Sequence, residues 1–413
     1  MSDYRPFYHI TPKTGWINDP NGFAWFKGRY HLYCQHNPLD TKWGPMHWLH
    51  FVSDDLLHFE EVGISLKPDH PYDLPWGCFS GSAIAKDGKL YVLYTGASEG
   101  KQQQCLAISE DGHEFRKYEG NPVIGESDLP QGYLIADFRD PKVFEKEGRY
   151  YVLLAARHKD GYSSILLYSS VDLIHFSFVG VVKSFHNCQK GGMIECPDIL
   201  FDGEKTALLY SLQHPLREGE GYQNSFLVAY VIGHLDLQSG AFIEEGPERE
   251  IDVGFACYAS QSLHRDGKNY LVFWQSSWDI VVPTDEGYAG QLSLIKEVHI
   301  VGDRIKMGFL PGSGQQKMVI DVTSNKASVH INNLELLICK KENKVTLIRH
   351  GVKKDNKRFF HLEDTSRISI EYAYDRSCVE ISFQDGEAFV SLLNFKDASM
   401  DKPTIKTKGC KVI

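Results

Sequence analysis

Short runs of apolar and aromatic residues, each preceded by a turn signal, recur along the first three quarters of the chain. In each signal a Gly near a polar or charged residue leads into the run, a sequence typical of β-hairpin turns. The turn glycines, at positions 28, 88, 148, 203 and 267, are 60, 60, 55 and 64 residues apart. This spacing predicts repeated units of several short strands. The stretches are Lys27–Tyr33, Asp87–Leu93, Glu147–Leu153, Asp202–Leu208 and Asp266–Val272.

A second recurrence falls late in three of these units. Ser53–Phe59, Ser109–Phe115 and Ser170–Phe176 share a Ser, an Asp two residues later and a closing Phe, which indicates one repeated outer-strand turn. Four-stranded units arranged around an axis form a β-propeller, and five units fall within the usual range. Solenoid repeats are shorter, and stacked sandwiches would not repeat a turn at this period. We therefore predict a five-bladed β-propeller over residues 1–309.

The pattern changes after about residue 300. Leu310–Gly314 has the composition of a linker, and strict alternation of apolar and polar residues follows, as in half-buried strands. This predicts a small C-terminal β-sandwich over residues 310–413 and an all-β chain. The alternating runs are Ser328–Ile331, Ile368–Tyr372, Val379–Phe383 and Ala388–Leu392, the last two joined by the hairpin turn Gln384–Glu387.

Composition and charge argue against several classes of protein. A hydrophobic share of 42%, 12% aromatic residues and 36 Gly suit well-filled cores joined by many turns. The net charge of -10 and the lack of a long basic stripe argue against a nucleic-acid partner. Nine scattered cysteines without a Cys-x-x-Cys pair argue against a disulfide framework and a zinc site. No apolar run has the length of a signal peptide or membrane span, which predicts a cytoplasmic protein with no membrane partner.

Candidate chemistry appears where each repeat begins. Residues eight or nine positions before a turn glycine start the first strand of a blade, which lines the central channel. Asp19 lies nine residues before Gly28, Asp140 eight before Gly148, and Glu195 eight before position 203. Three carboxylates from three blades are therefore expected to meet at one end of the channel.

Converging carboxylates suit either a cation such as calcium or glycosidic chemistry with one nucleophile and one acid. The neighbouring residues favour a sugar, because flat aromatic faces with a few placed polar groups fit a polyol better than a bare ion. We therefore predict no bound metal. The aromatic neighbours are Trp16, Trp43, Trp48, Trp76, Phe79 and Trp278, and the polar ones are Asn18, Gln35, Arg139 and Gln261.

Two residues beside Glu195 receive structural interpretations. Asp198 follows Glu195 after a Pro and is interpreted as a turn or support residue. Cys196 is interpreted as a small filler, because no nearby His in the sequence could activate it as a nucleophile.

The ordered motifs of the first half of the chain resemble those of glycoside hydrolase family 32, which includes invertases, sucrose-6-phosphate hydrolases, inulinases and levanases. The resemblance spans the whole predicted propeller and implies no metal or organic cofactor. The motifs are Trp16–Gly22, Gln35–Pro38, Trp43–Trp48, Phe79–Ser82, Phe138–Lys142 and Glu195–Asp198.

The resemblance implies roles for the three acids. Asp19 would be the nucleophile that forms a covalent fructosyl intermediate, and Glu195 the general acid and then base. Asp140 would hold fructose hydroxyls and stabilise the transition state. The substrate-binding residues would be Asn18, Gln35, Trp43, Phe79, Ser80 and Arg139, to which we add Tyr258 and Trp278 from the fifth repeat.

Two segments of the fifth repeat depart from the family pattern. Gly254–Gln261 lacks the acidic and aromatic run of many relatives, and Gln291–Glu297 has Ile-Lys where Pro-Arg is usual. We expect these departures to affect the leaving-group side of the site and the choice of substrate.

These inferences predict a retaining β-fructofuranosidase that acts on a small fructoside: sucrose, sucrose 6-phosphate or a short fructo-oligosaccharide. One alternative is a fructosyltransferase that uses the same intermediate with a sugar acceptor. Another is a non-catalytic propeller that binds carbohydrate. An arabinan-cleaving enzyme is disfavoured by the motifs around Asp19 and Glu195. The oligomeric state is not predicted.

Overall fold

The computed structural model describes residues 4–189, 192–217, 219–351, 356–395 and 403–412. The described part of the chain is built from β-strands and contains no α-helix, only two 3₁₀ turns at Glu126–Asp128 and Lys340–Glu342. No helix within these ranges has the length and apolar character needed to cross a membrane. The prediction of an all-β chain is confirmed.

The described residues up to Phe309 form five sheets in which successive strands pair antiparallel. The first contains β1 (Gly15–Phe26), β2 (Arg29–Asn37), β3 (His47–Ser53) and β4 (Glu60–Leu66). The second contains β5 (Pro75–Lys86), β6 (Lys89–Ser98), β7 (Lys101–Ser109) and β8 (Phe115–Lys117). The third contains β9 (Tyr133–Lys146), β10 (Arg149–His158), β11 (Ser163–Ser170) and β12 (Phe176–Phe185).

The remaining two sheets follow the same order. The fourth contains β13 (Ile194–Asp202), β14 (Lys205–Gln213), β15 (Phe226–Leu235), β16 (Phe242–Glu244) and β17 (Arg249–Glu250). The fifth begins with β18 (Tyr258–Arg265) and β19 (Lys268–Trp274). The next strand along the chain, β20 (Tyr288–Ala289), pairs in parallel with β1 and so joins the first sheet. The fifth sheet is completed by β21 (Lys296–Val301) and β22 (Arg304–Phe309).

The turn glycines lie where the sequence predicts them, between the first and second strands of each sheet. In the second sheet Asp87 and Gly88 have φ values of 49° and 73°, the left-handed pair that a two-residue hairpin turn requires. Gly adopts this conformation without steric cost, which explains why it recurs at this position.

The Ser-x-Asp recurrence is a turn between the third and fourth strands. The Ser53 hydroxyl accepts the Leu56 N–H at 2.9 Å, and the Asp55 carboxylate accepts the N–H groups of Leu57 and His58 at 2.8 Å each. The same bonds form in the second and third sheets, so the predicted outer turn is confirmed.

The first strands of neighbouring sheets contact one another in ring order, β1 to β5, β5 to β9, β9 to β13, β13 to β18 and β18 back to β1. Each neighbouring pair of sheets shares one apolar core between them. The sheets therefore radiate from a central axis, as in a β-propeller.

Each first strand carries an irregular register at the same depth, where the candidate residues lie. At three of these bulges a residue other than Gly has a positive φ: Asp140 at 64°, Cys196 at 46° and Ala259 at 46°. Bulges turn side chains away from the regular alternation of a strand, and strained backbone of this kind concentrates at functional sites.

The rest of the described chain forms two five-stranded sheets packed on one apolar core, as in a β-sandwich. The four alternating runs predicted from the sequence all lie in strands of these two sheets. The strands are β23 (Gln316–Val322), β24 (Lys326–Ile331), β25 (Leu334–Cys339), β26 (Lys344–Arg349), β27 (Lys357–His361), β28 (Arg367–Asp375), β29 (Cys378–Phe383), β30 (Ala388–Leu393), β31 (Ile405–Lys408) and β32 (Cys410–Val412).

Buried ion pairs join the sandwich to the propeller. Lys296 and Glu380 lie 2.7 Å apart and neither side chain is exposed to solvent, while His9 lies 2.8 Å from Asp375. Lys296 belongs to the Ile-Lys segment that departs from the family pattern. It faces the sandwich and is not among the residues that line the pocket described below. The expectation that the departures in the fifth repeat affect the leaving-group side stays a prediction.

Candidate active site

A pocket of about 470 Å³ opens at the end of the channel where the bulges lie. Nine of the eleven predicted site residues line it, and two, Ser80 and Tyr258, lie directly behind its wall. The lining residues are Asn18, Asp19, Gln35, Trp43, Phe79, Gln102, Asp137, Arg139, Asp140, Glu195, Gln213, His214, Phe226 and Trp278.

Asp19 lies in the bulge of β1 and is 8% exposed. Its Oδ2 atom accepts hydrogen bonds from the Ser80 hydroxyl at 2.7 Å and from Gln35 Nε2 at 3.3 Å. Burial, together with the nearby charge of Glu195, raises the pKa of Asp19 to about 6. The hydrogen bonds oppose this shift because they stabilise the ionised carboxylate.

Asp140 lies in the bulge of β9. Its backbone N–H donates to the Thr95 hydroxyl at 2.9 Å, and its Oδ2 atom accepts the backbone N–H of Cys196 at 2.8 Å. Burial raises the pKa of Asp140 to about 7, with Arg139 lowering it and Glu195 raising it further. The two aspartates therefore hold protons more tightly in the empty pocket than in water.

Glu195 is held through both carboxylate oxygens. Arg139 donates from Nη2 at 2.8 Å and from Nε at 3.2 Å to Oε1, and the Tyr258 hydroxyl donates to Oε2 at 2.5 Å. Tyr258 is 1% exposed and does not form part of the pocket surface, although its hydroxyl contacts Glu195. Its role in this structure is to orient the carboxylate.

Cys196 lies between the acids. Its sulfur is 3.7 Å from Asp19 Oδ2, and its N–H bonds to Asp140. Burial, followed by the charges of Asp140 and Asp19, raises the thiol pKa well above its usual range. The side chain therefore stays a protonated thiol, as expected for a filler.

A polar network closes the channel beneath the pocket. Asp198 accepts a hydrogen bond from the Ser262 hydroxyl at 2.6 Å and forms an ion pair with Lys142 at 2.8 Å. Lys142 also donates to Gln261 at 3.1 Å. Asp198 therefore supports the first strands β9, β13 and β18 from below, which agrees with its interpretation as a support residue.

Aromatic rings flank the pocket on two sides. Trp278 stacks on Trp16 with ring centroids 6.2 Å apart, and Trp43 packs edge-on to Phe79 at 5.9 Å. Trp48, which the sequence analysis groups with them, is fully buried and donates to the backbone of Phe79. It is a core residue, whereas Trp43 and Trp278 present partly exposed faces.

Five lining residues are absent from the sequence prediction: Gln102, Asp137, Gln213, His214 and Phe226. Gln102, Gln213 and Phe226 lie at or near the ends of second and third strands, and Asp137 precedes the bulge of β9. The prediction considered only the openings of first strands. Gln213 and Phe226 are paired at the ends of neighbouring strands. Including the ends of second and third strands in the prediction would have found these two residues.

Two groups of described residues have ligand atoms close enough to hold a metal ion, and both lie outside this pocket. The prediction that the site uses no metal stays a prediction. The groups are His330, Glu335 and His350 in the sandwich, and Asp69, His70 and Asp73 in the propeller.

Comparison with known proteins identifies the family. Residues 9–309 match the model of the glycosyl hydrolases family 32 N-terminal domain. The chain belongs to family 32. The family inferred from the sequence motifs is thus confirmed, and with it the class of protein, a glycoside hydrolase.

Several family 32 members are similar over much of the chain. A sucrose-6-phosphate hydrolase of Zymomonas mobilis is 34% identical over 324 residues, which cover 74% of this chain. The match spans 62% of that relative's own length, less than two thirds of it. A raffinose invertase of Escherichia coli is 32% identical and is matched over 94% of this chain and 89% of its own length.

Solved family 32 structures share the fold. The β-fructofuranosidase of the silkworm Bombyx mori superposes with a TM-score of 0.87 at 30% identity, covering 99% of this chain and 92% of the silkworm chain. A sucrose-6-phosphate hydrolase from Lactobacillus gasseri superposes with a TM-score of 0.89 at 27% identity, covering 100% and 92%. A variant of the silkworm enzyme has been solved in complex with sucrose.

Proposed function

We propose that the protein is a retaining β-fructofuranosidase that hydrolyses the terminal fructosyl bond of sucrose-type substrates. The observation that carries the proposal is the meeting of Asp19, Asp140 and Glu195 in one buried pocket, with Arg139 bonded to Glu195. The names of its family relatives support this reading.

The proposal also includes the number of blades and the division of the chain into two domains. Each of the five sheets is one blade, so residues 1–309 form a five-bladed catalytic propeller and residues 310–413 a separate sandwich domain. The catalytic acids then come from the first, third and fourth blades.

Asp19 is the nucleophile in this scheme. One carboxylate oxygen attacks C2 of the fructosyl unit, a new C–O bond forms, and the bond from C2 to the leaving sugar breaks. The donors Ser80 and Gln35 favour the ionised form that this attack needs. Its Oδ1 atom and Asn18 Nδ2 are both buried without an aligned hydrogen-bond partner among the described residues. The neighbouring Asn18 side chain also favours the ionised form of Asp19.

Glu195 is the general acid and then the general base. It gives its proton to the oxygen of the leaving sugar, and afterwards takes a proton from the water that releases fructose from Asp19. Three carboxylates in one buried pocket do not all stay ionised, so the pocket retains a proton for the first step. Arg139 and Tyr258 hold the carboxyl group in place through both steps.

Asp140 binds fructose hydroxyls and stabilises positive charge that develops on the sugar in the transition state. Its bond to the Cys196 N–H orients it toward the pocket. The pocket volume of about 470 Å³ is within the range of small-molecule sites, and Trp43 and Trp278 offer apolar faces to the sugar rings.

The test is fructose release from sucrose by the variants Asp19→Asn, Asp140→Asn and Glu195→Gln. Asp160→Asn is a matched control, because Asp160 is an exposed acid outside the pocket. Loss of activity in all three variants and normal activity in the control are expected. Near-normal turnover by Asp19→Asn would contradict the assignment.

Two further measurements define the mechanism. Mass spectrometry of the wild-type protein, quenched with acid during turnover of sucrose, should find a fructosyl unit on the peptide that contains Asp19, because the intermediate is bound covalently to that carboxylate. Product chromatography at high sucrose separates hydrolysis from transfer, since a transferase would accumulate oligosaccharides.

A further inference from the structure

Asp137 is a fourth acid in the wall of the pocket, and the proposed chemistry gives it no role. It lies in β9 two residues before Arg139, so the two residues share one face of the strand. Its side chain is 30% exposed, whereas that of Arg139 is 10% exposed. Asp137 therefore lies closer to the mouth of the pocket than Arg139.

Contacts place Asp137 beside the catalytic acid. Arg139 bonds to Glu195 through Nη2 and to Asp137 through Nη1 at 3.3 Å, so one guanidinium links the two carboxylates. The same Nη1 atom donates to Gln102 at 3.2 Å. Since Glu195 protonates the leaving oxygen, Asp137 and Gln102 lie on the side of the pocket that receives the leaving sugar.

The pocket as a whole contains more acidic than basic side chains, which is unfavourable for an anion. Among the described residues that line the pocket, four are acids and Arg139 is the one Lys or Arg. Its guanidinium is already bonded to Glu195 and Asp137. Asp137 also forms an ion pair of 2.9 Å with Arg157, so its carboxylate is bonded to a second guanidinium that would otherwise attract an anion.

A phosphate monoester carries a charge of about −1.5 to −2 at pH 7. Placed on the leaving sugar, it would meet the carboxylate of Asp137 in a partly desolvated pocket, where repulsion between like charges is stronger than in water. A neutral hexose meets no such repulsion, and its hydroxyls can bond to Asp137 and Gln102.

We propose that Asp137 makes the leaving-group side of the pocket selective for uncharged sugars, so that the enzyme prefers sucrose and other neutral fructosides to sucrose 6-phosphate. This inference rests on the proposed function. It assigns Asp137 as a specificity-determining residue.

The experiment compares kcat/KM for sucrose and sucrose 6-phosphate in the wild-type protein, Asp137→Asn, Asp137→Glu and the control Asp160→Asn. The wild type should favour sucrose by about 10-fold or more. Asp137→Asn should lower this ratio by about 10-fold, mainly through KM for the phosphorylated substrate, because the repelling charge is gone. Asp137→Glu and the control should keep the wild-type preference.

Ionic strength provides a second readout that a purely structural role would not move. Salt screens charge repulsion, so the relative rate on sucrose 6-phosphate should rise with salt in the wild type and change less in Asp137→Asn. Using a ratio of two substrates removes any general loss of activity caused by disturbing Arg139.

The outcomes separate the two proposals. A wild type that hydrolyses neither substrate refutes the proposed function. A wild type that hydrolyses sucrose 6-phosphate as well as or better than sucrose leaves that function standing and overturns the inference. An unchanged ratio in a folded Asp137→Asn variant also overturns it.

Discussion

Two buried clusters of charged residues differ in how their charges are balanced. In the pocket, Asp19, Asp140 and Glu195 share one guanidinium, that of Arg139. Between propeller and sandwich, Lys296 faces Glu380 at 2.7 Å, and His9 faces Asp375 at 2.8 Å.

The balance decides the direction of the pKa shifts. Burial raises the pKa of every buried carboxyl group, and in the pocket that effect dominates for Asp19 and Asp140. At the interface the cations outweigh burial, so the pKa values of Glu380 and Asp375 are lowered. The acids of the pocket are thus less balanced by cations than Glu380 and Asp375 are, and perturbed carboxyl groups gathered in a pocket favour a site for chemistry.

The largest expected effect concerns the nucleophile. Asp19→Asn should lower kcat on sucrose by about 10⁴-fold or more, because the covalent step loses its attacking oxygen. Unlike an interface variant, it should leave the unfolding temperature at pH 7.5 unchanged or raised, since it removes an uncompensated charge. Steady-state kinetics and a thermal unfolding scan measure both; a marked fall in the unfolding temperature would contradict the comparison.

Breaking the interface pair should affect stability instead. Lys296→Met leaves the buried Glu380 with only His9, at 3.8 Å, as a cationic neighbour among the described residues and should lower the free energy of unfolding by about 3–5 kcal/mol. Denaturant titration measures the loss. The double variant with Glu380→Gln should recover part of it, and a double variant no more stable than the single one would show that the ion pair is not the cause.

A smaller effect is expected from the contact behind Glu195. Tyr258→Phe keeps the ring packed against Trp274 and Phe226 but removes the hydroxyl that donates to Glu195. A bond to a charged group contributes about 1.5–3 kcal/mol, so kcat should fall by about 10- to 100-fold. Steady-state kinetics on sucrose measure this fall. An unchanged kcat in a folded Tyr258→Phe variant would contradict a role of the hydroxyl in holding Glu195.

The smallest effect is the dependence of stability on pH. The pKa of Asp140 is about 7 in the folded protein and 3.8 for an ordinary aspartate, as in the unfolded chain, so stability is lost as pH rises from about 4 through 7. Asp140→Asn removes this cost and should raise the free energy of unfolding at pH 7.5 relative to the wild type. At pH 4 the gain should be much smaller, because the carboxyl group is then protonated in the folded protein and partly protonated in the unfolded chain. Unfolding measured at both pH values tests this, and an equal gain at both would refute it.

Much of the architecture could be predicted because it repeats. The turn glycines and the Ser-x-Asp turns are local signals, and they predicted the hairpins and the outer turns of successive sheets. The sandwich was predicted only in part. The strands β25 and β26 were not predicted, although Asn332 and Asn343 in the turns before them have positive φ values of 55° and 49°. The strands β31 and β32 are short.

The sequence predicted those site residues that lie at the openings of the first strands. Asp19, Asp140 and Glu195 occupy equivalent places in their repeats, so a common location followed from spacing. Ser80 and Tyr258 were assigned to substrate contact, yet they lie behind Asp19 and Glu195. Spacing indicates which end of the channel a residue occupies, but not whether its side chain forms the surface or the layer beneath it.

The amino-acid sequence by itself determined the repeated strands, the three acids at their openings and the family, because strand alternation, turn chemistry and motif order are properties of neighbouring residues. Only the tertiary structure decided that Arg139 joins Glu195 to Asp137, and that Lys296 pairs with Glu380. Those contacts depend on the bulges of the first strands and on the packing of sheets far apart in the chain. No local pattern encodes them, because they arise only when the ring of sheets closes and the sandwich packs against it.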